Sequence, residues 1–187
     1  MSFKHPTAVV ESDKIGAGTK IWHFAHIREG AEIGRNCVIG KSVYIDTGVK
    51  IGDGVKIQNF VSVYKGVIIE NDVFIGPSVT FTNDLFPRAY IWDESRLTPT
   101  LVKKGASIGA NSTVICGITI GEYALIGAGS VVAKDVPAFG LAYGNPARLK
   151  GYVCYCGRKL VKVCEKKADK TIYSCSYCGS KVEIKNY

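Results

Sequence analysis

The residues best suited to chemistry fall in three places. Asn83 and Asp84 stand together: an amide able to hold a substrate hydroxyl or amine, beside a carboxylate able to orient a charged amine. The same two residue types are also common in turns. The three histidines, His5, His23 and His26, lie near the start of the chain. Imidazole titrates near neutral pH, so His26, or His23 in its stead, is a candidate general base. Convergence of all three would instead make a three-histidine zinc site with an open position. The third place is rich in cysteine. Cys154-Tyr155-Cys156-Gly157 and Cys175-Ser176-Tyr177-Cys178-Gly179 pair four thiols on either side of a short intervening stretch. Four thiolates can close a tetrahedral structural zinc site. A single residue separates Cys154 from Cys156, where two is usual, and Cys164 is a fifth thiol able to substitute.

A repeating element has to carry these groups. From Ile15 to Phe81 an aliphatic or aromatic residue falls on every sixth position, through Ile21, Ile27, Ile33, Ile39, Ile45, Ile51, Ile57, Val63, Ile69 and Ile75. A small or β-branched residue stands two places before each later member, from Thr19 and Ala25 to Val79. The series resumes at Ile108, Val114, Ile120, Ile126 and Val132. Six residues match neither the helical period of 3.6 nor the strand period of two. They match a short strand plus a turn, and three such units make a triangular coil of about 18 residues, stacked as parallel strands about 4.8 Å apart.

The phase breaks after Phe81. The step from Phe81 to Ile108 is not a multiple of six, and residues 84–101 read as a loop extruded from the coil. Long loops in compact folds are usually functional. The coil resumes over 105–136, Pro137 ends it, and Gly144-Asn145-Pro146-Ala147-Arg148 turns away. The expected organisation is an all-β parallel β-helix over 1–150 and a cysteine-rich, zinc-ribbon-like tail over 151–187. So short a tail has little core, and bound metal would supply its stability.

Positions 18 apart stack in columns, so the outward faces can be read. One face shows Lys14, Glu32, Lys50 and Glu70, a solvated surface. The next shows Lys20, Trp22, Lys56, Gln58 and Phe74. The third shows His26 and Arg28, Tyr44 and Asp46, Ser62 and Tyr64, Thr80 and Thr82, with Glu29, Thr47, Lys65 and Asn83 along its corner. Tyrosine and arginine favour interfaces, so this third face is expected to pack on a neighbouring subunit, with a polar cleft near Asn83. Cys37 takes an interior small-residue slot and is read as structural.

The formal charge is +8 over 187 residues. Residues 1–149 carry 15 Lys and Arg against 13 Asp and Glu, and residues 150–187 carry 9 against 3, so the excess sits in the tail. It suits anionic ligands such as nucleotides, or simply solubility; nucleic acid is not the expected partner, because the tail's tyrosines more simply form its small core. No apolar run reaches the length of a membrane span and no signal peptide is recognised. The expected compartment is the cytoplasm and no membrane partner is expected.

Several strings together resemble a known family: His5-Pro6-Thr7-Ala8-Val9, Gly18-Thr19-Lys20-Ile21-Trp22-His23-Phe24-Ala25-His26-Ile27, Ile57-Gln58-Asn59-Phe60-Val61-Ser62-Val63-Tyr64, and Val73-Phe74-Ile75-Gly76-Pro77-Ser78-Val79-Thr80-Phe81-Thr82-Asn83-Asp84 with Pro87-Arg88. Residues 5–150 resemble the nucleotide-sugar N-acetyltransferases built on hexapeptide repeats. The nearest likeness is to the UDP-2-acetamido-3-amino-2,3-dideoxyglucuronate enzymes of surface-polysaccharide synthesis, and the dTDP-3-amino-3,6-dideoxyhexose enzymes are the alternative. The resemblance implies a left-handed coil, a homotrimer with sites between coils, acetyl-CoA as donor and a UDP-linked amino sugar as acceptor. It places Asn83 beside the reacting amine, with His26 and Asp84 as further catalytic candidates. Trp22, His23, Arg28, Gln58, Asn59, Tyr64 and Arg88 are read as substrate-binding. Gly109, Gly127, Ala128, Lys134, Pro146 and Arg148 are read as the acetyl-CoA end, with glycine N–H groups at the oxyanion and Lys134 and Arg148 at CoA phosphates. Cys154, Cys156, Cys175 and Cys178, in a tail that is not a feature of that family, are read as the metal ligands. Two readings of other classes stand beside this one: a γ-carbonic-anhydrase-like zinc enzyme using the histidines, and a non-catalytic trimeric scaffold.

Overall fold

A computed structural model describes residues 1–186. The described chain is all-β apart from one 3₁₀ turn at Glu94–Arg96. Most strands are two residues long: an outward residue, then the buried aliphatic one. Within the coil each strand pairs in parallel with the strand one coil later, giving three sheets that form its faces. Lys20–Ile21, Val38–Ile39, Lys56–Ile57 and Phe74–Ile75 lie in the first, called here the aromatic face. His26–Ile27, Tyr44–Ile45, Ser62–Val63 and Thr80–Phe81 lie in the second, the histidine–tyrosine face. Glu32–Ile33, Lys50–Ile51 and Val67–Ile69 lie in the third, the lysine–glutamate face.

The core is the ladder itself. Ile21, Ile27, Ile39, Ile45, Ile57, Ile75 and Phe81 are fully buried, and the slot two residues earlier is filled by Ala25, Cys37, Val43, Val55, Val61 and Val79. The turns contain a backbone requirement that the hexad implies. Three residues after each aliphatic one the chain takes a positive φ, at Gly18, Gly30, Gly48 and Gly54, and also at Asn36, Ser42 and Asp72. Glycine, asparagine and aspartate tolerate that region, but Phe24, Phe60, Tyr123 and Phe139 occupy it too, which is unusual for bulky residues.

Three details differ from the sequence expectation. Leu101 pairs with Ile68, in the place that Phe86 would take in an unbroken coil, so the insertion is the stretch of chain from Phe86 to Leu101. The ladder resumes at Val102, six before Ile108, with Thr100–Val102 already a strand, so the extruded loop ends at residue 99 and not at 101. The polar Thr100 in the small-residue slot hides this rung. On the lysine–glutamate face, the residue stacked on Lys50 is Ile68, and Glu70 continues instead the corner column of Gly34 and Gly52, accepting from the Lys104 N–H at 2.9 Å. Past Pro137 the coil adds one more rung: Gly140–Gly144 pairs in parallel with Leu125–Ile126 before a cis Asn145–Pro146 turn sends Ala147–Tyr152 back antiparallel.

Other buried hydroxyls in the small-residue slot are hydrogen-bonded: Thr19 Oγ1 donates to Gly34 O at 2.7 Å and Ser130 Oγ to Gly127 O at 2.6 Å. Thr100 Oγ1 is the buried side-chain oxygen that has no partner among the described residues. An unpaired buried hydroxyl costs on the order of 1–3 kcal/mol, so Thr100→Val is expected to leave thermal stability unchanged or raise it. A clear fall in melting temperature would show that the hydroxyl is satisfied.

Candidate active site

The break in the ladder builds a latched loop. Asp84 follows the last strand, and its carboxylate accepts from Arg96 Nε at 2.9 Å and from the Phe86 N–H at 2.7 Å; Arg96 also donates to the Phe86 carbonyl. Lys65, one coil below Asn83 on the same corner, holds Glu94 at 2.8 Å, and Asp93 caps the 3₁₀ turn through the Ser95 N–H. Thr98 N–H closes the loop on Asn83 O at 3.0 Å. Asp84 is thus spent on holding the loop, a different role from that of a free carboxylate beside an amine. The half-buried Asn83 is left with a side-chain amide that has no partner among the described residues. The loop that follows exposes Phe86, Tyr90 and Trp92.

Arg96 and the Phe86 N–H hold the Asp84 carboxyl below its ordinary range. A depressed folded pKa means that the stabilisation is complete above the unfolded value, about 4, and is lost as pH falls through the folded one. In a Trp22→Phe background, Trp92 fluorescence should stay constant from neutral pH to about 5 and change below about 4. Arg96→Gln should abolish that step; an identical step in that variant would show that the pair is not the latch.

His26 lies elsewhere. Its Nε2 sits 2.7 Å from Glu11 Oε1, and Glu11 also accepts from Arg28 Nε at 3.3 Å and the Glu29 N–H at 3.2 Å. The His26 hydrogen bond is the first cause holding the Glu11 carboxyl below its usual range. Tyr44 meets the His26 ring edge-on at 5.6 Å between centroids, and Tyr64 follows at 5.7 Å. The registers His26–Tyr44, Tyr44–Ser62 and Ser62–Thr80 put three rungs, about 14 Å, between His26 and the Asn83 corner. One chain does not bring these two candidates together.

The substrate-binding candidates likewise separate. Trp22, His23, Gln58 and Asn59 line one hollow of 280 Å³ on the aromatic face with Lys41, while Arg28 and Tyr64 sit on the histidine–tyrosine face and Arg88 on the loop. Asn59 Oδ1 already accepts from the Lys41 N–H at 2.9 Å. His5 and His23 stack at 3.5 Å between centroids. Among the described residues of one chain the one group of potential ligands that converges is the four cysteines; the three histidines do not come together within it.

At the proposed acetyl-CoA end, the glycine N–H groups are occupied. Gly109 donates to Ile126 O at 2.8 Å and Gly127 to Ala142 O at 2.9 Å. They cannot serve an oxyanion. Their role is close stacking: a Cβ on Gly109 would stand 2.4 Å from Ala128 N. The available donors are one residue on. At some other positions the equivalent N–H is capped by an acidic or amide side chain from the adjacent coil, as Asp53 caps Arg35 and Asn59 caps Lys41. Ala110 and Ala128 N–H have no acceptor among the described residues. Ala110 is not among the sequence candidates; the signal is present, because the column Lys41, Asn59, Pro77, Ala110, Ala128 loses its side-chain acceptors in its last coils. Lys134 and Arg148 line one 230 Å³ cleft at the coil end.

In the tail, the Cys154, Cys156, Cys175 and Cys178 sulfurs all lie within 4.8 Å of one another, with Cys154–Cys178 at 3.5 Å and Cys156–Cys175 at 3.7 Å. Four sulfurs each about 2.3 Å from one zinc would stand about 3.8 Å apart, so the donor set fits that ion. Cys164 is exposed on the strand Lys162–Lys166 and outside the cluster. Ser180 pulls the Cys178 pKa down to about 6, and burial pushes Cys154 up to about 12. Lys162–Lys166, Lys170–Ser174 and Lys181–Lys185 form an antiparallel sheet. Its buried side, Val182 and Ile184, joins Cys154, Leu160 and Cys175 against Phe139 of the coil. Tyr155 meets Tyr123 and Phe139 edge-on at 4.8 and 4.9 Å. The ring of Tyr123 lies over Gly105, where a Cβ would stand 2.4 Å from it.

Parallel hexad coils with an extruded loop and donor-bearing corners define a β-helical transferase. The family model for bacterial transferase hexapeptide repeats matches residues 14–47, 48–83 and 99–134, and the chain belongs to that family. It is similar to the dTDP-3-amino-3,6-dideoxy-alpha-D-galactopyranose 3-N-acetyltransferase of Aneurinibacillus thermoaerophilus, 54% identical over 158 residues, 84% of this chain and 82% of that protein. Among solved structures, a hexapeptide-repeat acetyltransferase of Vibrio cholerae in complex with acetyl coenzyme A shares the fold at 24% identity and TM-score 0.52, covering 74% of this chain and 72% of that one. LpxA of Acinetobacter baumannii does so at 21% identity and TM-score 0.58, covering 81% and 72%. Among the described residues no helix is long and apolar enough to cross a membrane.

Proposed function

We propose that the chain is a sugar N-acetyltransferase that moves an acetyl group from acetyl-CoA to the 3-amino group of a dTDP-3-amino-3,6-dideoxyhexose. The 54% identity with the Aneurinibacillus enzyme over most of both chains carries this reading. It favours the second of the two sugars suggested by the sequence over the UDP-linked glucuronate. The site chemistry agrees. A 6-deoxy sugar brings a methyl group, which suits the apolar Phe86, Tyr90 and Trp92.

In the proposed reaction the neutral amine attacks the thioester carbonyl. The C–N bond forms, the C–S bond breaks, and the amine proton leaves with the CoA thiol. Asn83 holds the amine, and Ala110 and Ala128 N–H are the donors for carbonyl oxygens of the bound acetyl-CoA. Holding both substrates in place supplies much of the rate enhancement. His26, fixed by Glu11, belongs to a homotrimer face in this reading, and the trimer gathers the scattered substrate-binding residues. The proposed compartment is the cytoplasm, where cysteines are kept reduced. The four cysteines hold one structural zinc.

Thiol release from acetyl-CoA across a panel of amino sugar nucleotides tests the reading. The dTDP-3-amino-3,6-dideoxyhexose should exceed the UDP-glucuronate derivative in kcat/KM by about 100-fold. The reverse order would overturn the sugar assignment, and no release with any acceptor would favour the scaffold reading. His26→Asn should remain folded and active; loss of activity in a folded trimer would restore the histidine as base.

A further inference from the structure

A cleft of 850 Å³, the size of a small-molecule site, opens where tail and coil meet. One wall belongs to the coil, with Lys103, Asp135 and Pro137; the other comes from beyond it, with Leu149, Tyr152 and Lys185. It adjoins the Lys134 and Arg148 cleft, and the two share Asp135, Val136, Pro137 and Leu149. The charges divide between them. The smaller cleft has two cations against Asp135, whose Oδ1 already accepts from the Thr119 N–H. The larger has one lysine on each wall, the carboxylates of Glu122 and Asp135 on the coil side, and an apolar floor of Pro137, Phe139 and Leu149; its tail carboxylate, Glu183, is paired with Lys170 at 2.8 Å. Leu149 is 47% exposed although it is a large apolar residue at the centre of both clefts.

That layout matches an adenosine bearing phosphate on both sides of its ribose. Resting on the assignment of Lys134 and Arg148 to the CoA phosphates, we propose that the tail forms half of an adenosine 3′-phosphate subsite, and that metal at the four cysteines keeps this half in place. The 5′-diphosphate lies at Lys134 and Arg148, the base on Pro137 and Leu149, and the 3′-phosphate between Lys103 and Lys185. The tail sheet has few buried residues of its own and is tied to the coil through Tyr155 and Ile184. Opening the cysteine cluster therefore releases the wall that carries Lys185.

Adenosine 3′,5′-bisphosphate is the probe, titrated by calorimetry against the full-length protein. Lys185→Ala and Leu149→Asp, both at exposed side chains, should each weaken binding at least about 5-fold, as should metal removal with a strong chelator; each 10-fold is about 1.4 kcal/mol. Phosphopantetheine, which lacks the adenosine, should bind these variants as it binds the unaltered protein. Unchanged binding of the bisphosphate to Lys185→Ala and Leu149→Asp, with Lys134→Ala impaired, overturns the tail subsite and spares the phosphate assignment. Unchanged binding to all three overturns both. Unchanged binding after chelation, with the zinc shown to be gone, overturns the metal's part.

Discussion

Asn83→Ala is expected to lower kcat/KM for the sugar acceptor at least 10-fold, a loss on the order of 1.4 kcal/mol in transition-state stabilisation. The expectation follows from what surrounds the residue. Its backbone is fixed by the Thr98 N–H and by the strand Thr80–Phe81, while its side-chain amide is left unpaired at the mouth of the latched loop. An amide so placed can accept from an amine or donate to a hydroxyl. Because no partner inside the chain depends on it, the substitution should leave melting temperature nearly unchanged. Steady-state kinetics and a thermal melt of the same preparation check both halves. Unchanged kinetics would remove Asn83 from the reaction, and a large drop in stability would make it a structural corner.

Phe81→Ala, two residues earlier, should have the opposite profile and cost about 3–5 kcal/mol of stability. Phe81 is the largest of the fully buried side chains and replaces the isoleucine or valine that fills the other rungs on its face. It sits on the last rung before the loop, where no hexad follows directly in sequence to close the coil. Truncation would leave a cavity between Val114 on one side and Val63 on the other. Denaturant unfolding should show a lowered midpoint, with Phe81→Leu recovering most of it. An alanine variant as stable as the parent would mean that the coil collapses around the gap.

The scaffold is legible in the sequence because hexad burial leaves a period that no other structure shares. Every aliphatic position from Ile21 to Phe81 lies where the spacing puts it. The first rung after the loop is hidden because Thr100 looks polar and its neighbours look like loop. The site is only partly legible. A column of 18 says which side chains stack, but it does not say which backbone N–H a neighbouring Asp or Asn has already claimed. That is why the sequence suggests glycines as donors where Ala110 and Ala128 hold the free ones. Asp84 is likewise recognisable as important and not as a latch, since Arg96 reaches it only through the folded loop. The cysteine spacing points to a cluster despite its short first pair, because four sulfurs need to converge only in space.

The return of Leu101 to the column of Lys50 and Ile68 has a bearing on how such a protein changes. The inserted stretch alters no pairing on either side of it. A lineage could therefore lengthen, shorten or rewrite this loop without any strand noticing. Acceptor preference and scaffold integrity would then be inherited almost independently, and grafting residues 84–99 between relatives should carry the choice of sugar with it.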